Sequence, residues 1–171
     1  MITKNYNRSN ESIILRDFIQ EDSDKINEIA YAAWSQYEGV FSEWKSFVDF
    51  IRNVSKLADY LQFIVAVRNN ELIGFVAYIG PHVKREKIFP DDWAVLRLLS
   101  VLPSMRGCGV GLSLTNECIK RAKKDGAKIL GLHSSPVLQS ALNLYLRIGF
   151  VFAKSIPKRR SVSYSVYVLH L

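Results

Sequence analysis

Apolar and polar positions alternate in some stretches of the chain and recur at helical spacing in others. Residues 12–16 alternate and predict a short first strand. The cluster Glu21-Asp22-Ser23-Asp24, rich in helix-capping types, precedes Ile26, Ile29, Ala30, Ala33 and Trp34 at helical spacing, which predicts a helix. A second helix is expected over residues 42–57, with Trp44, Phe47, Val48 and Ile51 on one face. The apolar runs 62–68 and 72–79 flank the turn sequence Arg68-Asn69-Asn70-Glu71 and read as a hairpin. Residues 81–92 form a charged loop, and 93–101 a third apolar strand interrupted only by Arg97 and Ser100. On plain alternation Arg97 shares a face with Val95, Leu99 and Val101.

The second half changes rhythm. An amphipathic helix is expected over 111–124, offering Leu112, Leu114, Cys118, Ile119 and Ala122 to the core, with Gly126 at its left-handed cap. Residues 127–133 read as a buried strand, 137–148 as a helix closed by Gly149, and 151–155 with 161–169 as a final strand pair, with Lys158-Arg159-Arg160 in their turn. No repeat, low-complexity tract or linker interrupts residues 1–171, so one domain is expected. Strands, then helix–strand–helix, then strands predict an α/β (α+β) fold, a sheet of mixed direction with helices on both faces.

A hydrophobic share of 49% against 23% charged residues excludes a disordered or coiled-coil chain. No uncharged apolar run approaches the roughly 18 residues of a membrane span. The opening Met1-Ile2-Thr3-Lys4-Asn5-Tyr6 lacks the order of a secretory leader. Cys108 and Cys118 make no disulfide framework, and no Cys or His cluster has metal-ligand spacing. The expectation is a cytoplasmic protein with reduced thiols, no metal and no membrane contact. The net charge of +7 is unevenly placed: residues 1–93 hold 11 Lys and Arg against 14 Asp and Glu, and residues 94–171 hold 12 against 2, or +10. Such a bias suits an anionic partner, either nucleic acid or a phosphate-bearing cofactor, or simply a solvated basic face.

The segment from Val101 through Pro103, Arg106, Gly107, Cys108, Gly109 and Val110 to Gly111 lies between a strand and a helix. Its alternate glycines remove the Cβ atoms that would block a close ligand and leave successive N–H groups free to converge on an anion. The positive end of the following helix points to the same place, and Arg106 adds a fork suited to phosphate oxygens. The spacing is not that of a dinucleotide fingerprint, and no Gly-Lys-Ser/Thr follows to make a P-loop.

Arg106-x-x-Gly109-x-Gly111, in its strand-Pro-x-x-Arg-Gly-x-Gly-x-Gly-helix context, resembles the acetyl-CoA-binding signature of the GCN5-related N-acetyltransferase (GNAT) superfamily. Downstream, Ala141-Leu142-Asn143-Leu144-Tyr145-Leu146-Arg147-Ile148-Gly149-Phe150 resembles that family's helix-ending Ala-x-x-Leu-Tyr-x-x-x-Gly-Phe segment. The resemblance is sharp over residues 95–155. It implies a mostly antiparallel sheet splayed at its centre and acetyl-CoA as cosubstrate. Main-chain groups of Leu99, Ser100 and Val101 would pair with the pantetheine arm, and the N–H groups of Arg106, Gly107, Cys108, Gly109, Val110 and Gly111 would hold the pyrophosphate. Ser134 and Ser135 would line the gap that receives the arm. Tyr145 matches the family's general acid, and the Val101 N–H is the expected polariser of the acyl carbonyl.

The sequence departs from the family at two points. Val95 stands where many members carry a strand glutamate, and Leu138 where many carry an asparagine. The general base is therefore open among water, Glu86, Asp91, Asp92, His82 and His133. Cys108 reads as a spacer and not as a nucleophile. On the acceptor side, Tyr31, Trp34, Tyr37, Phe41 and Trp44 with Glu38 and Glu43 suit an amine with an apolar body, or are core. Of these, Trp34 and Tyr37, together with Arg97, are the candidate acceptor contacts, and Arg97 suits a substrate carboxylate or a buried ion pair. The expected activity is acetyl transfer to a primary amine of a small molecule or peptide, by direct attack in a ternary complex. Dimers are frequent among relatives. The alternatives are a silent acetyl-CoA-binding protein and a basic nucleic-acid module. The latter is disfavoured because no helix pairs a basic face with a recognition pattern.

Overall fold

The computed structural model describes residues 12–171, so the opening run Met1–Tyr6 lies outside the described residues. Its strands are β1 (Ile14–Asp17), β2 (Gln62–Arg68), β3 (Glu71–Ile79), β4 (Ala94–Val101), β5 (Ile129–Ser134), β6 (Val151–Arg159) and β7 (Val162–His170). They form one sheet in the order β1-β2-β3-β4-β5-β7-β6. Every neighbouring pair is antiparallel except β4 and β5. Those two are parallel and meet only at Ala94–Leu130 and Val95–Gly131, after which they part. The sheet is thus mixed, mostly antiparallel and splayed at its centre, as the resemblance implied.

Helices α1 (Ser23–Trp34) and α2 (Trp44–Ile51) cover one face, burying Ile26, Ile29, Phe47 and Ile51 against Phe63, Val65 and Phe75. Helices α3 (Val110–Lys124) and α4 (Gln139–Ile148) cover the other, where Leu114, Cys118, Leu142 and Tyr145 pack on Ile64, Val76, Tyr78, Leu130 and Leu132. Full burial of each large side chain is worth about 1.5–3 kcal/mol. Side-chain hydrogen bonds position the helices within these layers. The start of α1 is held by Asp22, which accepts two bonds from Arg16 at 2.6 and 2.9 Å and one from the Ile19 N–H at 3.0 Å. The Arg16 bond holds the Asp22 carboxyl below its usual range, against the opposing effect of burial.

The structure departs from the sequence expectations in four places. Helix α2 is not continuous to residue 57: it stops at Ile51, and residues Val54–Asp59 turn more tightly as a 3-10 helix. Asn53 closes it by donating from its side chain to the Asp49 carbonyl at 2.8 Å, while Asn27 accepts the Ser55 N–H at 2.9 Å. Leu112 is exposed and adds nothing to the core. Strand β6 reaches Arg159, so Lys158 and Arg159 lie in the strand, and Arg160 and Ser161 make the turn at φ 47° and 67°. Pro157 is tolerated there because β6 is an edge strand.

The fourth departure matters most for the site. Phe75 pairs with Ser100 and Ala77 with Arg97, so Leu98 and Leu99 together oppose Val76 in a β-bulge, with Leu98 at φ 58°. The extra residue flips the alternation. Arg97 stays on the α1/α2 side with Ala77, whereas Leu99 and Val101 turn to the α3/α4 side. The expectation that Arg97 shares a face with Leu99 and Val101 is therefore corrected.

Close packing of β3, β4 and α3 depends on Gly74. A Cβ there would lie 3.0 Å from both the Ser100 carbonyl oxygen and Val110 Cγ1. The Gly74→Ala variant is expected to lose about 1–3 kcal/mol of stability through overpacking. A lowered urea midpoint at unchanged slope reads this directly, and an unchanged midpoint would contradict it.

Candidate active site

Where β4 and β5 separate, the molecule encloses a cavity of about 1270 Å³. Its anion-binding end is the glycine loop. After the tight turn Pro103–Met105, Gly107 and Gly109 take φ 75° and 83°, and α3 begins at Val110. Only glycine adopts such a backbone without strain, and a Cβ at either position would meet nothing within 4 Å. The N–H groups of residues 107–112 have no acceptor among the described residues. They face outward with the positive end of α3 behind them, which is an anion site. Arg106 differs from expectation. Its N–H is used by the Pro103 carbonyl at 3.3 Å, so the free run starts at Gly107. Its guanidinium donates to the Ala33 carbonyl at 3.0 Å and to Gln36 at 3.1 Å, at the end of α1. Gly107, Gly109, Val110 and Gly111 line the cavity, whereas Cys108 does not; its thiol turns back to within 3.8 Å of the Arg106 carbonyl.

The edge of β4 continues from this loop. Leu102 donates its N–H to the Ile73 carbonyl on β3 at 2.9 Å. Alternation of the antiparallel ladder then turns the Val101 N–H the other way, into the gap toward β5. Leu99 and Val101 line the cavity, while Ser100 is buried against β3 and bonds the Leu98 carbonyl at 3.1 Å. Across the gap, the Ser134 hydroxyl ends β5 buried and without a hydrogen-bond partner among the described residues. The Ser135 hydroxyl accepts the Val137 N–H at 3.3 Å and is also buried.

Tyr145 reaches the cavity from α4 and is 5% exposed. The Gly-Phe that follows explains its placement. Gly149 at φ 111° ends the helix, the Phe150 N–H returns to the Tyr145 carbonyl at 3.0 Å, and the two rings pack 5.7 Å apart. Burial, reinforced by the neighbouring Cys118 thiol, pushes the Tyr145 phenol above its usual range.

The other end of the cavity is aromatic and cationic. Trp34, Tyr37, Phe41 and Phe47 form one ring cluster, the Trp34 and Phe47 rings meeting edge-on at 5.2 Å. Arg97, Arg159 and Arg160 line the same space with His133 and Tyr164. Glu86 lies behind and bridges Arg97 at 2.9 Å and Arg159 at 2.6 Å. Burial pulls its carboxyl up, but the Arg159 hydrogen bond and the two guanidinium charges hold it below its usual range. His133 is pushed down to about 4, first by burial and then by the Arg159 charge. Its Nδ1 has no hydrogen-bond partner among the described residues, and its ring lies between Phe89 and Tyr164.

Among the described residues no Asp or Glu lines the cavity. The carboxylates expected to shape an acceptor pocket, Glu38 and Glu43, are exposed on the surface. Asp91 pairs with His82 at 3.0 Å in an exposed contact, and Asp92 is exposed too. Of the side chains considered for deprotonation, His133 alone lines the cavity. Sequence reasoning missed Arg159, Arg160 and Tyr164 as site residues. The basic triplet at 158–160 was the available signal, and only the β6–β7 register shows which of its members turn inward. No group of three His, Cys, Asp or Glu among the described residues could hold a metal ion, and no helix there is long and apolar enough to cross a membrane.

Known proteins share this architecture. The PaiA N-acetyltransferase of Thermoplasma acidophilum, solved in complex with coenzyme A, superposes with a TM-score of 0.72 at 22% identity, covering 91% of this chain and 98% of that one. The ribosomal-protein-S18-alanine N-acetyltransferase of Escherichia coli gives 0.67 at 18% identity, covering 93% and 94%. In sequence, an uncharacterized N-acetyltransferase of Methanocaldococcus jannaschii is 28% identical over 140 residues. The match covers 80% of this chain and spans 59% of that relative's length. The sequence pattern of the acetyltransferase (GNAT) family matches residues 24–150, three-quarters of the length, and the chain belongs to that family.

Proposed function

We propose that the chain is an acetyl-CoA-dependent N-acetyltransferase that passes an acetyl group to a primary amine by direct attack in a ternary complex. The observation that carries this reading is the run of unpaired N–H groups over residues 107–112, continuous with a gap that the Val101 N–H faces and that Ser134 and Tyr145 line. Acetyl-CoA supplies the activated acyl group and the anionic pyrophosphate that such a gap and loop fit.

The chain's own groups have separable tasks. The free amides and the dipole of α3 bind and orient the anion. The Val101 N–H is the donor for negative charge growing on the acyl oxygen. Because burial keeps Tyr145 protonated, its hydroxyl proton is available to the departing thiolate. With no carboxylate lining the cavity among the described residues, and with His133 pushed down to about 4, the acceptor's proton passes to water. That same lack of a carboxylate favours the second reading, an acetyl-CoA-binding protein without turnover. Release of free thiol on addition of amines separates the two.

Replacement Tyr145→Phe is expected to lower kcat by roughly 100-fold or more while leaving acetyl-CoA affinity within a few-fold. Equal losses in both would exclude the acid role. Calorimetric titration of acetyl-CoA should show one-to-one binding to the unaltered chain and none to Gly109→Val, which forces a branched residue to φ 83° and fills the open loop. Unchanged affinity would show that the loop does not hold the cofactor. Finally, the His133 ring should titrate at about 4 by NMR in the ligand-free protein. Since its folded value lies below the ordinary value of about 6.5, the unfolded chain binds the extra proton first. The associated stability is present above about 6.5 and drains away as pH falls toward about 4.

A further inference from the structure

The transferase reading leaves the acceptor open, and the cationic end of the cavity narrows it. Arg97, Arg159 and Arg160 stand against a single carboxylate, Glu86, which is shared by the first two. Arg160 has no acidic partner among the described residues. Its guanidinium lies 4.7 Å from the Phe47 ring centroid, and its buried Nε makes no hydrogen bond. Positive charge in excess and partly withdrawn from water is unfavourable unless an anion completes it.

The cofactor's pyrophosphate does not account for this charge. The free amides of residues 107–112 open at the start of α3, on the α3/α4 side. The Arg160 carbonyl instead accepts the Ser42 N–H at 3.1 Å, tying its turn to the segment between α1 and α2 on the opposite side. Arg97 faces that same side with its pairing partner Ala77. An acceptor that is only cationic would meet arginines and no carboxylate.

We propose that the acceptor amine carries an anionic group, a carboxylate or phosphate, on the same molecule, and that Arg160 with Arg97 and Arg159 holds it beside the wall of Trp34, Tyr37 and Phe47. The proposal rests on the transferase reading for its amine and on the arginine cluster for its anion. A guanidinium fork matches paired oxygens of either group.

Three probes with one skeleton test it: L-phenylalanine, its phosphonate analogue 1-amino-2-phenylethylphosphonate, and phenethylamine, which lacks the anion. Spermidine serves as the purely cationic amine. Calorimetric titration into the full chain saturated with coenzyme A reads preference without turnover, and acetyl-CoA-dependent thiol release reads it with turnover. At least one anionic probe should bind roughly tenfold or more tighter than phenethylamine, the better of the two distinguishing carboxylate from phosphate. Arg160→Met should erase that margin while the acetyl-CoA Kd stays within about threefold, and Arg160→Lys should restore part of it. Equal affinities, no binding of any probe, or preference for phenethylamine or spermidine overturns the proposal. So does an Arg160→Met protein that loses acetyl-CoA affinity but keeps the preference. An anion preference without thiol release upholds the anion site and rejects turnover.

Discussion

The site depends on a pairing that stops early. Parallel strands β4 and β5 share two residue pairs and then diverge, so the backbone beyond Val95 on one strand and Gly131 on the other faces a gap. Buried N–H and C=O groups without partners are expensive, and a chain retains them only where something else supplies the bonds. The Val101 N–H and the Ser134 hydroxyl are the parts of that deficit visible in the described residues. Every other feature of the site is arranged around the opening. The glycine loop leaves the end of β4, α4 closes one side, and the arginine-bearing β6–β7 turn leans over from the other.

Charge follows the same geometry. Five of the twelve Lys and Arg of residues 94–171 gather at the cavity. Arg97, Arg106, Arg147, Arg159 and Arg160 all reach the cavity, and no acid lines it among the described residues. The field inside is thus positive from end to end, but by two different means. At the loop it comes from amides and a helix dipole, fixed in direction, with the Arg106 guanidinium beside them. At the aromatic end it comes from guanidinium groups, one of which has no countercharge of its own. Glu86 is spent on holding Arg97 and Arg159 in place, which leaves it poorly suited to accept a proton.

Much of this was legible in the sequence because the signals were local. Asn69-Asn70 closes a two-residue hairpin whose strands fall where alternation puts them, and both asparagines take positive φ as that turn requires. Gly126 and Gly149 end their helices in the left-handed conformation. The Gly-x-Gly-x-Gly loop is legible because it performs a local backbone task, and the Tyr145…Gly149-Phe150 segment because its local pattern resembles that of the family. What escaped was non-local. Nothing in the residues around Leu98 announces that two of them will face one on β3, so the side of Arg97 was misread. Arg106 was assigned to phosphate because its partner, the end of α1, lies some seventy residues away in sequence. Arg159 and Arg160 read from sequence only as members of a basic turn because their place at the cavity depends on Ser42, Glu86 and Phe47, three contacts that no sequence window contains.

The bulge at Leu98 also bears on how such a protein can change. On either side of it, β4 turns Arg97 to the layer of α1 and α2, and Leu99 and Val101 to the layer of α3 and α4. One continuous strand thus lends side chains to both helical layers, and a substitution at residue 97 alters one face of the cavity while a substitution at 99 or 101 alters the other. Deleting Leu98 would leave Arg97 opposite Ala77 and set Leu99 alone against Val76, so both side chains would keep their sides and only the local bend and twist of the strand would be lost.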